Sequence, residues 1–111
     1  MSSAEQDEAA IKRLVGSYGR AIEGKDVALF RSIKPNLSAA EERRLQEGFR
    51  AVASQRVNLT VNSIDRKGDR AVVSVKRRDT IDVGGRQQTA ETQQTLTVAR
   101  DNGNWVIVDI R

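Results

Sequence analysis

Few side chains in this sequence can do chemistry. Its 111 residues include no histidine and no cysteine. Imidazole bases, thiolate nucleophiles, disulfides and the usual Cys/His zinc sites are therefore excluded. What remains is one tyrosine (Tyr18), one tryptophan (Trp105), a basic run Lys76-Arg77-Arg78 and scattered carboxylates. Tyr18 lies on an apolar helical stripe and reads as a core aromatic with its hydroxyl at the rim. Asp26 follows Gly24-Lys25 and precedes an apolar helix, which is the place of an N-cap rather than a catalytic acid. On a strand, Lys76 and Arg78 share one face and Arg77 takes the other. No aromatic is interleaved with them, so nucleic acid is disfavoured as a partner. Gly84-Gly85 lacks the helix and lysine that complete a phosphate loop. The acidic residues lack calcium-loop spacing. No metal site and no cofactor is expected.

The elements that position these groups follow from periodicity. Ile11, Leu14, Val15, Tyr18 and Ile22 recur at helical spacing and predict a helix over 4–23, stopped by Gly24. Gly16 and Gly19 weaken that helix and mark places where another backbone approaches closely. Val27, Leu29, Phe30 and Ile33 predict a second helix over 26–33, ended by Pro35. Ser38-Ala39-Ala40-Glu41 is a capping box opening a third over 38–53, with Leu45, Phe49 and Val52 as its stripe. From Arg56 the period changes to two, predicting strands over 56–65, 70–82, 87–100 and 104–110. The fold class is α+β: three helices packed on a curved four-stranded antiparallel meander, residues 1–111 forming one domain.

A two-residue turn at Gly84-Gly85 sets Arg78 opposite Glu91, Lys76 opposite Gln93, Ser74 opposite Thr95 and Val73 opposite Leu96. One face of this hairpin is then polar, with an Arg78–Glu91 charge pair. The other face is apolar and fades into Arg77, Asp79 and Thr92, like the mouth of a cleft or a frayed tip. Asp79 and Glu91 fall on opposite faces and cannot act together on one substrate. The last strand is apolar on both faces, which predicts a central strand or one covered on both sides. Trp105, at its start, packs the sheet against a helix or a partner subunit.

The chain carries 31% charged and 38% hydrophobic residues, a foldable balance, and a net charge of +4, which draws only weakly on polyanions. No apolar run approaches the roughly 18 residues of a membrane span. The stretch Met1 to Ala10 is acidic and polar, unlike a secretory signal. A soluble chain is expected, its compartment open.

Tyr18-x-x-Ala21-Ile22-Glu23-x-x-Asp26-x-x-Leu29-Phe30 and Gly103-Asn104-Trp105-Val106-Ile107 resemble the nuclear-transport-factor-2-like superfamily, whose cone-shaped domains include ketosteroid isomerases and SnoaL-type cyclases. The resemblance spans nearly the whole chain. It implies helices packed on the concave side of the sheet with a pocket between, a homodimer through the other sheet face, and frequent use as an appended domain of larger bacterial proteins. A strand pair usual between helices two and three is replaced here by Lys34-Pro35-Asn36-Leu37, so the cone should be smaller and more open on that side. Tyr18 falls where ketosteroid isomerases place an oxyanion-binding tyrosine, but their carboxylate base lies on the missing segment.

The expectation is a non-catalytic module that dimerises and binds a partner or a small apolar ligand. Its ligand pocket would use Tyr18, Phe30, Phe49, Arg77 and Asp79, and its interface Lys76, Arg78, Glu91, Gln93 and Trp105. The alternative is a small isomerase or cyclase with Tyr18 as hydrogen-bond donor. A cone filled by Tyr18, Phe30, Phe49 and Leu45 speaks against the enzyme. Tyr18 and a carboxylate converging on one open point speaks for it.

Overall fold

The computed structural model describes residues 3–111. Met1 and Ser2, the start of the polar stretch, lie outside them. Three helices, α1 (Ser3–Glu23), α2 (Val27–Ile33) and α3 (Ala39–Ala51), precede four strands, β1 (Ser54–Lys67), β2 (Arg70–Val83), β3 (Arg86–Asp101) and β4 (Asn104–Ile110). The strands form one antiparallel sheet in the order β1-β2-β3-β4. Ile11, Leu14, Val15, Tyr18 and Ile22 of α1 are buried, as their spacing predicts. They meet Val73, Val75, Leu96, Val98 and Ile107, all fully buried on the inner face of the sheet. Burying each such aliphatic side chain contributes about 1.5–3 kcal/mol.

Gly19 is where α1 seats on the sheet. A Cβ there would lie 3.2 Å from Leu59 Cδ1 and 3.9 Å from the Val57 carbonyl oxygen, so the missing side chain lets helix and β1 close up. Gly16 has no such neighbour; a Cβ there meets only Arg20 of its own helix. At the end of α1 the left-handed residue is Lys25 (φ 52°) rather than Gly24. The amides of Asp26 and Lys25 close on the carbonyls of Ala21 (2.9 Å) and Ile22 (3.2 Å). Lys25 Nζ also donates to the Val52 carbonyl at 2.6 Å, tying this turn to the chain after α3.

Both N-caps read from the sequence form. Asp26 Oδ1 accepts the Leu29 amide at 3.0 Å. Ser38 Oγ accepts the Glu41 amide while Glu41 Oε1 accepts the Ser38 amide, each at 3.1 Å. Those bonds, Ser38's backbone first and its side chain next, hold the Glu41 carboxyl below its ordinary value, with Lys34 adding to the effect. A depressed carboxyl stabilises the fold above its unfolded value, and that contribution is lost as pH falls through the folded one. Independently of pH, Ser38→Ala removes the N-cap and should cost about 1 kcal/mol. Urea midpoints measured from neutral to acid pH should show the gap between the intact chain and Glu41→Gln closing below the ordinary carboxyl range. A gap that stays constant would contradict the linkage.

Gly84 and Gly85 both have positive φ (59° and 80°), the signature of a primed two-residue turn. The register follows as predicted: Arg78 faces Glu91, Lys76 faces Gln93, Ser74 faces Thr95 and Val73 faces Leu96. Two expectations need correction. Glu91 pairs with Lys76, at 3.6 Å, and not with the Arg78 directly opposite, because the longer diagonal reach suits both flexible side chains. And β4 is an edge strand. In a meander each short turn sets a strand beside its predecessor, so the last one must lie at an edge. Its apolar residues on both faces reflect a bulge: the register shifts between Thr97 and Val98, leaving Val108 unpaired, so that Ile107 and Ile110 both face the core although three apart.

Candidate functional site

On β2 the inward-facing apolar run Ala71, Val73, Val75 is interrupted by Arg77 and Asp79. These are not a frayed tip. Arg77 holds Asp79 through its Nε (2.8 Å to Oδ2) and its second terminal nitrogen (2.9 Å to Oδ1), with both side chains mostly buried. Gln55 Nε2 from β1 donates to the same carboxylate at 3.0 Å. The other arm of Arg77 donates to the Tyr18 hydroxyl at 2.6 Å, and that hydroxyl donates to Gln94 Oε1 at 3.1 Å. The Tyr18 ring packs edge-on against Phe30, with centroids 6.0 Å apart, and Arg77 lies over its face at 5.6 Å. Burial is the largest influence on the Arg77 guanidinium and opposes its charge. The Asp79 hydrogen bonds and the neighbouring Tyr18 outweigh it together, and the net effect raises Arg77 above its ordinary value.

The structure thus brings together Tyr18, Phe30, Arg77 and Asp79 from α1, α2 and β2. It adds Gln55 and Gln94, which the sequence reading did not single out. Glutamine on a strand carries no local sign of facing inward; only the register shows it. Phe49 is buried at the C-terminal end of α3. Beside this network an open groove of about 350 Å³ remains, lined by Phe30, Leu37 and Leu45 with Lys34, Glu41, Arg44, Asp109 and Ile110. It lies at the α2–α3 connection, the side where the sequence predicts a more open cone. The cone is therefore filled at Tyr18 and open over Phe30 and Leu45.

The other named residues lie elsewhere. Lys76, Arg78, Glu91 and Gln93 are exposed on the outer face of the sheet. Trp105 is not with them. It is 8% exposed and faces the helices, its Nε1 donating to Asp7 Oδ1 at 3.3 Å. Asp7 also pairs with Arg66 (2.7 Å) and Arg100 (3.3 Å), and the Arg100 guanidinium covers the Trp105 ring at 5.1 Å. This cluster staples the start of α1 to the end of the sheet away from the groove. No sequence signal marked Asp7, because its partners Arg66, Arg100 and Trp105 all lie far along the chain, on the sheet.

No helix among the described residues is long and apolar enough to cross a membrane. No family model matches the chain, and no curated protein matches it in sequence. Solved structures do match. A protein from Kribbella flavida superposes with a TM-score of 0.89 at 16% identity, over 98% of this chain and 90% of that one. A protein from Streptomyces avermitilis, described as a candidate dehydratase of the nuclear-transport-factor-2-like family, gives 0.82 at 14% identity over 96% and 94%. A nuclear-transport-factor-2-like protein with a cystatin-like fold from Novosphingobium aromaticivorans gives 0.82 at 18% identity over 96% and 80%. At these identities the likeness is one of fold.

Proposed function

For a chain with the cone-shaped, cystatin-like fold of the nuclear-transport-factor-2-like superfamily, we propose a non-catalytic module that dimerises through its outer sheet face and holds a small ligand with an apolar body in the α2–α3 groove. One observation carries this reading: the groups in the cone capable of chemistry satisfy one another. The Tyr18 hydroxyl already donates to Gln94 and accepts from Arg77. The Asp79 carboxylate is spent on Arg77 and Gln55. A general base needs a free lone pair within reach of a substrate proton, and an oxyanion donor needs a free O–H. The dehydratase description of a fold neighbour keeps an enzymatic role as the competing reading, and Tyr18 decides between them.

Tyr18→Phe should cost about 1–2 kcal/mol of stability through its two lost hydrogen bonds. It should leave affinity for the neutral fluorescent probe N-phenylnaphthylamine within about tenfold, or 1.4 kcal/mol. A greater loss, with the fold intact by circular dichroism, would return Tyr18 to the binding machinery.

The proposed dimer draws on exposed charges of both signs, Lys76 and Arg78 on β2 and Glu91 on β3. Light scattering after size exclusion across a concentration series should find a dimer that Lys76→Glu weakens. A strict monomer would remove this part of the reading and leave the groove.

A further inference from the structure

We propose that the α2–α3 groove selects a small organic monoanion, an apolar body bearing one acidic head, and that Lys34 and Arg44 read the head. This rests on the reading of the groove as a ligand site. Lys34 caps α2 and is only 7% exposed. Its Nζ donates to Asn36 Oδ1 at 3.0 Å and to Glu41 Oε2 at 3.4 Å. An ammonium has three protons, so one donor is not taken by these two acceptors. Glu41 is committed twice, to Lys34 through Oε2 and to the Ser38 amide through Oε1. Asp109, on the opposite rim, is engaged by Arg111 at 2.8 Å.

Each carboxylate of the groove is thus matched by a cation. Arg44 stands one helical turn beyond Glu41, lines the same groove, and has no hydrogen bond or ion pair among the described residues. It is the unmatched positive charge of the site. The same groove is lined by Phe30, Leu37, Leu45 and Ile110, a surface that rewards an apolar body. A neutral ligand would leave Arg44 idle. An inorganic anion would leave the apolar surface wet. A molecule with one or two rings and a single acidic group uses both, and an open volume of about 350 Å³ suits that size.

Two fluorescent probes of similar shape separate the terms: anilinonaphthalene sulfonate, which carries an anionic head, and neutral N-phenylnaphthylamine. Arg44→Gln, at an exposed helix position, should weaken the sulfonate probe about three- to tenfold and leave the neutral probe within about twofold. Arg43→Gln, an equal charge change outside the groove, should move neither. Leu45→Gln should weaken both and so locate them. If Arg44→Gln leaves the sulfonate probe unchanged, or weakens both probes alike, while the neutral probe still binds at Leu45, the proposed selectivity falls and the groove remains a ligand site. If neither probe binds the intact chain, or Leu45→Gln affects neither, the groove reading falls and the selectivity with it.

Discussion

Arg77→Leu is expected to destabilise the fold by about 3 kcal/mol, the lower end of the range for breaking a buried ion pair. The lower end applies because the two side chains keep some contact with solvent, 15% for Arg77 and 18% for Asp79. The cost is chiefly what is left behind. Without Arg77, the Asp79 carboxylate keeps only Gln55, and the Tyr18 hydroxyl loses a charged donor. Removing both charges should be milder than removing one, since hydrophobic residues can replace a buried pair with little loss. Arg77→Leu combined with Asp79→Leu should therefore recover at least about half of the single-mutant loss in a double-mutant cycle read by urea unfolding. A single-mutant cost below about 1 kcal/mol would mean that Asp79 finds water at once. The cone would then be wet around a free carboxylate next to Tyr18, and the enzymatic reading would regain its base.

Trp105→Ala is expected to cost about 3–4 kcal/mol, as for other buried aromatics cut to alanine. It should not change the oligomeric state. The reason is placement: Trp105 faces the helices, covered by Arg100 and hydrogen-bonded to Asp7. Trp105→Phe keeps an aromatic ring but gives up the N–H donor and part of the indole's volume, so about 1–2 kcal/mol is expected, and this variant should fold even if the alanine one does not. The native tryptophan emission should be blue-shifted and should move red only on unfolding. A stable Trp105→Ala chain that had lost its self-association would instead place this ring at the interface, where the sequence reading had put it.

Much of the fold was legible because its determinants are local. Asp26 and Ser38 cap helices through bonds to residues three positions away. Two consecutive glycines at positive φ make a turn that sets the register of every pair along β2 and β3. Short-range spacing is enough to predict such features, and with them the choice of which face of β2 carries Lys76 and Arg78 and which carries Arg77 and Asp79.

The site was legible only in part. Arg77, Asp79, Tyr18 and Phe30 were named one by one, but their bonding was not, because Tyr18 meets Arg77 across 59 positions and Gln94 across 76. An arginine two residues from an aspartate on one strand can point both at solvent or clamp each other, and only the cover supplied by α1 decides. Trp105 stayed open between a helix and a partner for the same reason: an aromatic at a strand start is compatible with either face until the β3–β4 pairing is known, and Asp7, which anchors it, is 98 positions away. The elements, their caps and the hairpin register can be read from local sequence, since these depend on dihedral preferences and contacts within a few residues. The tertiary structure alone decided which polar groups are buried together and which cation is left unmatched, since burial and pairing arise only when distant segments close on one another.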